Sequence, residues 1–318
     1  MTTGVGYLDA DREFGAIVPF FSIDKVEKYG LNDIFGYLYS NLQWRSNVTW
    51  TLGLSAHNFS SFVDETQLNP KAGVSWEVFE GTTLRAAVFR VFEDTLIAKQ
   101  RLEPTQVAGF NQFFEEVLDG GEAVDVWNYG LGVDTELSDN LSCGIEYVKR
   151  ELDLQVVDLI FTGTAQEVQW DEEIVRLYLY ASPMVWLTLD FGYQYESFER
   201  DTIYTGDEDI AELKTHRFPI GARFFLPADF FAGVKATYVS QDGKFGSNPT
   251  PVNPLRSDED TFWVFDANLG YRLPRRMGTI TVDGKNIFNN AFKFQDTDPS
   301  RPTIFPDQQI LVKLTVTF

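Results

Sequence analysis

The chain has 318 residues, 44% of them hydrophobic and 15% aromatic, and it carries 26 Lys+Arg against 47 Asp+Glu, a formal net charge of -21. This apolar content excludes a disordered chain, and the acidic balance excludes nucleic acid as a partner, because tracking phosphates needs a surplus of Lys and Arg. One cysteine, Cys143, rules out an intrachain disulfide and a cysteine-based metal cluster, the histidines are only His57 and His216, and no stretch is long and apolar enough for a transmembrane helix.

The first residues, Met1 to Tyr7, have neither the basic nor the apolar region of a signal peptide. Alone that points to cytoplasm; the remaining chain points elsewhere, so Met1 is read as an internal start or a fragment boundary. No linker or low-complexity segment divides residues 1–318, and one architecture is expected throughout.

Its signal is period two. Strands are expected near residues 2–8, 33–44, 47–59, 69–79, 82–92, 123–137, 140–153, 167–182, 184–199, 213–226, 229–241, 259–273, 277–288 and 304–318. In chain order, Trp127, Tyr129, Leu131 and Val133 oppose Asn128, Gly130, Gly132 and Asp134; Leu141, Cys143, Ile145 and Tyr147 oppose Ser142, Gly144 and Glu146. Val185, Leu187, Leu189, Phe191, Tyr193 and Tyr195 oppose Thr188, Asp190, Gly192, Gln194 and Glu196. Trp263, Phe265, Ala267, Leu269, Tyr271 and Leu273 oppose Asp266, Asn268, Gly270 and Arg272.

Many of these segments exceed the roughly 5–6 residues usual in soluble sheets and suit a tilted membrane-spanning strand of about 9–11 residues with overhang. Short turns, at Arg45-Ser46, Glu80-Gly81, Ser138-Asp139, Ser182-Pro183, Pro227-Ala228 and Pro274-Arg275, alternate with longer links at 9–32, 60–68, 93–122, 154–166, 200–212, 242–258 and 289–303. That asymmetry belongs to outer-membrane barrels, with tight periplasmic turns and long external loops. Aromatics near strand ends, Trp44, Trp50, Trp76, Trp186, Phe198 and Tyr271 among them, fit interfacial girdles. A soluble propeller or β-solenoid is the competing architecture, and no blade-length repeat supports it. The expected fold is all-β, an antiparallel transmembrane barrel of outer-membrane type with about fourteen strands present.

If the apolar stripes face lipid, then Asp190, Gln194, Glu196, Asp266, Asn268 and Arg272 face the lumen. The excess acid collects in the long links, at Glu93, Glu103, Glu115, Glu116 and Asp125 in one and at Asp207, Glu208, Asp209 and Glu212 in another, where water hydrates it or divalent cations bind. No enzyme site is expected: Ser55 and His57 lie at a half-polar strand end without a phosphate loop or nucleophile elbow, and no metal or cofactor site is read.

The chain ends on Ile310, Val312, Leu314, Val316 and Phe318 at alternate positions, which resembles the C-terminal signal read by the machinery that assembles bacterial outer-membrane barrels. The run Val282 to Phe292, with Asn286, Ile287, Phe288 and Phe292, resembles the penultimate-strand motif of TonB-dependent outer-membrane receptors. Asn69-Pro70 to Trp76 followed by Gly81 to Arg90 resembles their Pro-initiated hairpin, and Leu102-Glu103-Pro104-Thr105 echoes the following Leu-x-Pro-Glu element with Thr in place of the acid.

The resemblance covers roughly residues 69–318. It implies the C-terminal part of a 22-stranded barrel for uptake of a metal chelate, cobalamin or oligosaccharide, powered by TonB through a plug domain that this chain lacks. The partners it implies are outer-membrane lipid, the assembly machinery and, through that plug, the TonB complex. Alternatives are a plugless porin-like or polysaccharide-export barrel fused to a periplasmic domain, and a structural or adhesive surface barrel.

Overall fold

A computed structural model describes residues 1–18, 23–61, 63–93, 103–112, 121–158, 164–200, 210–246, 254–293, 304 and 307–317. Its strands are β1 (Thr2–Val18), β2 (Ile23–Trp44), β3 (Val48–Ser60), β4 (Asp64–Phe79), β5 (Thr82–Glu93), β6 (Gln106–Val107), β7 (Phe110–Asn111), β8 (Gly121–Ser138), β9 (Leu141–Asp158), β10 (Thr164–Met184), β11 (Leu187–Arg200), β12 (Ile210–Phe225), β13 (Phe230–Phe245), β14 (Arg256–Leu273), β15 (Gly278–Lys285) and β16 (Gln309–Val316). Fourteen of them form one sheet in the order β1-β2-β3-β4-β5-β8-β9-β10-β11-β12-β13-β14-β15-β16, and β6 pairs only with β7. Neighbours in the sheet are neighbours in sequence apart from the interposed β6–β7 hairpin, so each turn fixes the register of the pair it joins.

The short turns use left-handed residues where the strand twist demands them. Ala228 and Asp229, at φ 60° and 65°, lie in the three-residue loop that Leu226 and Phe230 close between β12 and β13, and Gly81, at φ 77°, closes β4–β5. The strands run further than the alternation indicates at the other end. Residues 9–32, expected as a link, are mostly strand: β1 and β2 stay paired from Thr2↔Tyr39 to Val18↔Ile23. Likewise β3 ends at Ser60 and β4 begins at Asp64. Beyond a membrane both faces of a strand meet water, so polar residues fit either side and period two disappears while the backbone ladder continues.

By packing, the chain divides into two compact units, Met1–Val78 with Leu84–Leu131 and Val148–Glu172, and Phe79–Thr83 with Gly132–Tyr147 and Glu173–Phe318. In the first, one sheet face presents Leu38, Leu52, Leu54 and Leu68 to the surroundings, whereas the other is filled. Leu31, Phe59, Phe92 and Ala123 form a core there, with Leu8 against it. Residues 103–112 lie on that same filled face: Tyr39 Oη donates to Glu103 and, at 3.0 Å, to Gln112, and Lys71 Nζ stands 3.5 Å from Glu103. For Glu93, Glu103 and residues 103–112 this corrects the reading of an external link whose acids face water, since Glu93 and Glu103 are both buried. A carboxylate that can meet Lys71 inside the sheet is better satisfied there than an unpaired buried ammonium would be.

In the second unit the connection between β14 and β15 depends on Gly278. Its φ is 143°, and a Cβ placed on it would stand 1.8 Å from the Thr315 carbonyl oxygen of β16. Gly278→Ala should destabilise the folded chain by about 1–3 kcal/mol, the cost of strained backbone. Gly36→Ala, whose Cβ would meet Val5 at 3.6 Å and the Gly4 carbonyl oxygen at 3.7 Å, both ordinary contacts, should leave stability nearly unchanged. Denaturant unfolding in detergent micelles, followed by tryptophan fluorescence, compares the two.

Candidate functional site

In the second unit the two faces of β11–β16 differ in chemistry, and register carries each row across several strands. One row joins Phe191, Ile220, Ala236 and Phe265, and a second joins Leu189, Ala222, Val234, Ala267, Gly284 and Ile310. A third joins Phe224, Ala232, Leu269, Val282 and Val312. Ile220, Val234, Leu269, Val282, Ile310 and Val312 are all exposed, and a contiguous apolar patch of this kind marks a membrane or protein contact surface.

Aromatic rows bound this apolar band. Towards the long links, Tyr193 packs on Phe218 with centroids 4.8 Å apart, Phe218 on Tyr238 at 6.0 Å and Tyr238 on Trp263 at 5.2 Å. Towards the short turns, Trp186 stacks on Phe224 at 6.4 Å and Phe230 packs on Tyr271 at 4.8 Å. From Trp263 to Tyr271 the strand advances about 26 Å at ~3.3 Å per residue, or about 20 Å along the normal of a strand tilted by ~40°, close to the ~25 Å apolar band of an outer-membrane barrel.

Beyond the upper aromatic row the same face turns polar. Glu212 accepts hydrogen bonds from Lys214 at 2.5 Å and from Lys244. Those bonds, Lys214 first, hold the Glu212 carboxyl below the usual carboxylate range, and the Glu212 hydrogen bond raises the Lys214 ammonium above its ordinary value. A depressed carboxylate contributes stability above its unfolded pKa and loses it as pH falls through the folded value; a raised ammonium loses its share as pH rises through the folded value. The cluster therefore stabilises the sheet between roughly pH 4.5 and 10.5. Glu212→Gln should flatten the acid limb of the melting temperature measured from pH 3 to pH 7, and an unchanged limb would remove this cluster from the pH dependence.

The opposite face holds the six expected lumen residues. Asp190, Asp266 and Asn268 come together in one concave pocket of about 270 Å³, with Arg223, Lys235 and Lys285. Lys285 Nζ lies 3.0 Å from Asp266. Gln194 and Glu196 sit further along β11; Gln194 pairs in register with Arg217, and Glu196 is buried 3.7 Å from the Arg217 guanidinium. Arg272 lies nearer the short turns, its guanidinium 6.0 Å from the Phe225 ring centroid and 5.9 Å from that of Phe231. Sequence alternation missed Arg223, Lys235 and Lys285, although all three stand at polar positions of strands.

Asn286 and Phe292 pack the chain after β15 against β14 and the neighbouring core. Asn286 is left-handed at φ 44°; its backbone N–H donates to Asp266 Oδ1, its Nδ2 donates to the Asn290 carbonyl, and its Oδ1 accepts from the Asn290 N–H, each at 3.0 Å. Ile287 N–H donates to the Phe265 carbonyl at 2.9 Å, and exposed Phe288 meets Phe265 edge-on at 5.1 Å. Phe292 stacks on Phe262 at 4.3 Å against a core of Val239, Phe262 and Val264. Asn286→Ala removes both bonds to Asn290, about 1 kcal/mol each, and should cost about 2 kcal/mol in the same micelle unfolding assay. A Cys143→Ala chain, altered at a half-buried residue without these bonds, should stay close to the parent.

Ile310, Val312, Leu314 and Val316 share the exposed apolar face of β16, paired with Gly284, Val282, Ile280 and Gly278. Phe318 and the acidic residues Glu115, Glu116, Asp207, Glu208 and Asp209 lie outside the described residues. His57, 3% exposed, lies between Phe35 and Phe92 with its Nδ1 3.5 Å from Asp33, and Ser55 beside it is 2% exposed. His216 Nδ1 shares a 3.0 Å hydrogen bond with Tyr193 Oη in the upper aromatic row.

No family model matches the sequence, and no curated protein matches it. Solved structures do. The ferric-catecholate import receptor Fiu of E. coli K12 superposes at a TM-score of 0.60 with 14% identity, over 98% of this chain and 50% of its own. The FrpB iron transporter of Neisseria meningitidis gives 0.61 and 15%, over 91% and 45%, and the outer membrane transporter YddB of Escherichia coli 0.56 and 12%, over 99% and 51%. The chain thus spans about half the length of these proteins. Its fourteen-stranded antiparallel sheet has the fold of part of the β-barrels of these outer-membrane proteins.

Proposed function

We propose that this chain forms the C-terminal wall of an outer-membrane uptake barrel in a Gram-negative-type cell. The observation that carries the reading is the apolar band bounded by two aromatic rows on one face of β11–β16, backed by a charged pocket on the other. Such a wall needs hydrocarbon on one side and water or polar protein on the other. The cargo class we infer is an iron chelate, by analogy with the ferric-catecholate receptor and iron transporter whose fold it shares. Force would come from the TonB complex acting on a plug domain, with this wall supplying the passage.

Two measurements test the proposal. Deleting Phe318 should lower the amount of protein inserted in the outer membrane severalfold, whereas Cys143→Ser should not, and equal levels would count against a terminal assembly signal. Uptake of a radiolabelled ferric chelate by iron-starved cells should fall when the gene is deleted. Unchanged uptake together with steady open conductance of the purified protein in planar bilayers would instead favour a plugless passive pore.

A further inference from the structure

The charged pocket has a specific construction. On its face of β12 stand Gly221 and Arg223, and on β13 Lys235 lies opposite Gly221 while Gly233 lies opposite Arg223. The result is a square block with glycines on one diagonal and cations on the other. Cross-strand diagonal neighbours are about 7–8 Å apart at Cβ, so the long Arg and Lys side chains can converge above the glycines on one small group. Asp190, Asp266 and Asn268 border the block: the Asp190 carboxylate leans over Gly221, the Asn268 Oδ1 leans over Gly233, and Asp266 stands opposite Lys235 in register and is paired with Lys285.

Among the described residues no carboxylate lies within 4.0 Å of Arg223 or Lys235, whereas the neighbouring Lys285 is paired with Asp266. Across this lower part of the polar face, the cations Arg223, Lys235, Arg272, Lys285 and Lys313 outnumber Asp190, Asp266 and Asp283. In a chain of net charge -21 that local excess of positive charge runs against the composition.

We propose that Arg223 and Lys235 form a binding site for one carboxylate or phosphate group on the polar face of β12 and β13. Arg223 supplies a planar fork of donors and Lys235 a point charge, and because the Asp190 carboxylate and the Asn268 amide oxygen lie over the two glycines, the anion is held by the tips of the two cations rather than by the strand backbone. The assignment of this face to the barrel interior rests on the function proposed above. The anion is either a free solute in passage or an acidic side chain of protein lying against the wall.

Citrate, with inorganic phosphate as a second probe, is titrated calorimetrically into the 318-residue chain folded in micelles and into the polypeptide as the host cell makes it. Binding to both marks a solute site; binding to the 318-residue chain alone marks a site already filled by a carboxylate of the same protein. Arg223→Gln and Lys235→Gln should each weaken citrate about tenfold, consistent with loss of a charge-assisted bond. Gly233→Leu should abolish binding with both cations intact, and Lys244→Gln, at the far end of β13, should leave it unchanged.

No citrate or phosphate binding to either preparation, or binding indifferent to Arg223→Gln, Lys235→Gln and Gly233→Leu, overturns the proposal. A separate readout guards the reading beneath it. In a Cys143→Ser chain in bilayers, Val234→Cys should resist a water-soluble maleimide; ready labelling there would contradict the membrane assignment whatever citrate does.

Discussion

A chain segment in hydrocarbon has no water to satisfy its peptide groups, so every N–H and C=O must find a partner on a neighbouring strand. That constraint accounts for the architecture. It forces long strands joined in sequence order, and it leaves side chains as the only means of matching two different surroundings. Between Trp263 and Tyr271, and at matching heights on its neighbours, alternate residues therefore separate into an exposed apolar set and a charged set. The aromatic rows stand where hydrocarbon gives way to headgroups, because a ring offers an apolar body and, in Tyr and Trp, a polar edge.

The inner faces of the two units meet the cost of burying polar groups differently. In the first, Gln67 Nε2 donates to Asn69 and Asp125, at 2.6 and 2.8 Å, Arg90 Nε donates to Asp125 at 2.7 Å, and Lys71 donates to the Arg90 carbonyl at 3.0 Å. Residues 103–112 complete that network from the chain itself. In the second unit the polar surface of β11–β15 stays concave around Arg223 and Lys235. Net charge alone gives no sign of this difference, because it sums water-facing acids and wall cations together.

Much of the fold was legible in the sequence. Leu187 to Tyr193 and Trp263 to Tyr271 alternate because each lies within the band where the two sides differ, and the terminal run Ile310 to Val316 alternates for the same reason; Val185 falls in the turn before β11. Residues 9–32 gave no such signal, because the β1–β2 ladder continues there through backbone pairing without an alternating side-chain pattern. The inward fold of residues 103–112 was hidden because it depends on Lys71 and Tyr39, distant in sequence and matched only by packing. Asp190, Asp266 and Asn268 were readable as polar positions, but their assembly with Arg223 and Lys235 needed the register of four strands. Asn286 was readable as a motif residue, whereas its left-handed turn and its bonds to Asn290 were not.

The central claim is that one face of β14 touches hydrocarbon only between its two aromatic rows. A nitroxide scan along β14 in bilayers, from Asp258 to Leu273 in a Cys143→Ser chain, measures this directly through collision with oxygen and with a water-soluble nickel chelate. The account predicts that oxygen access peaks at Phe265, Ala267 and Leu269, while nickel access is favoured at Asn268 and at the outer Glu259. Nickel access at Ala267 and Leu269 equal to that at Glu259 would contradict it.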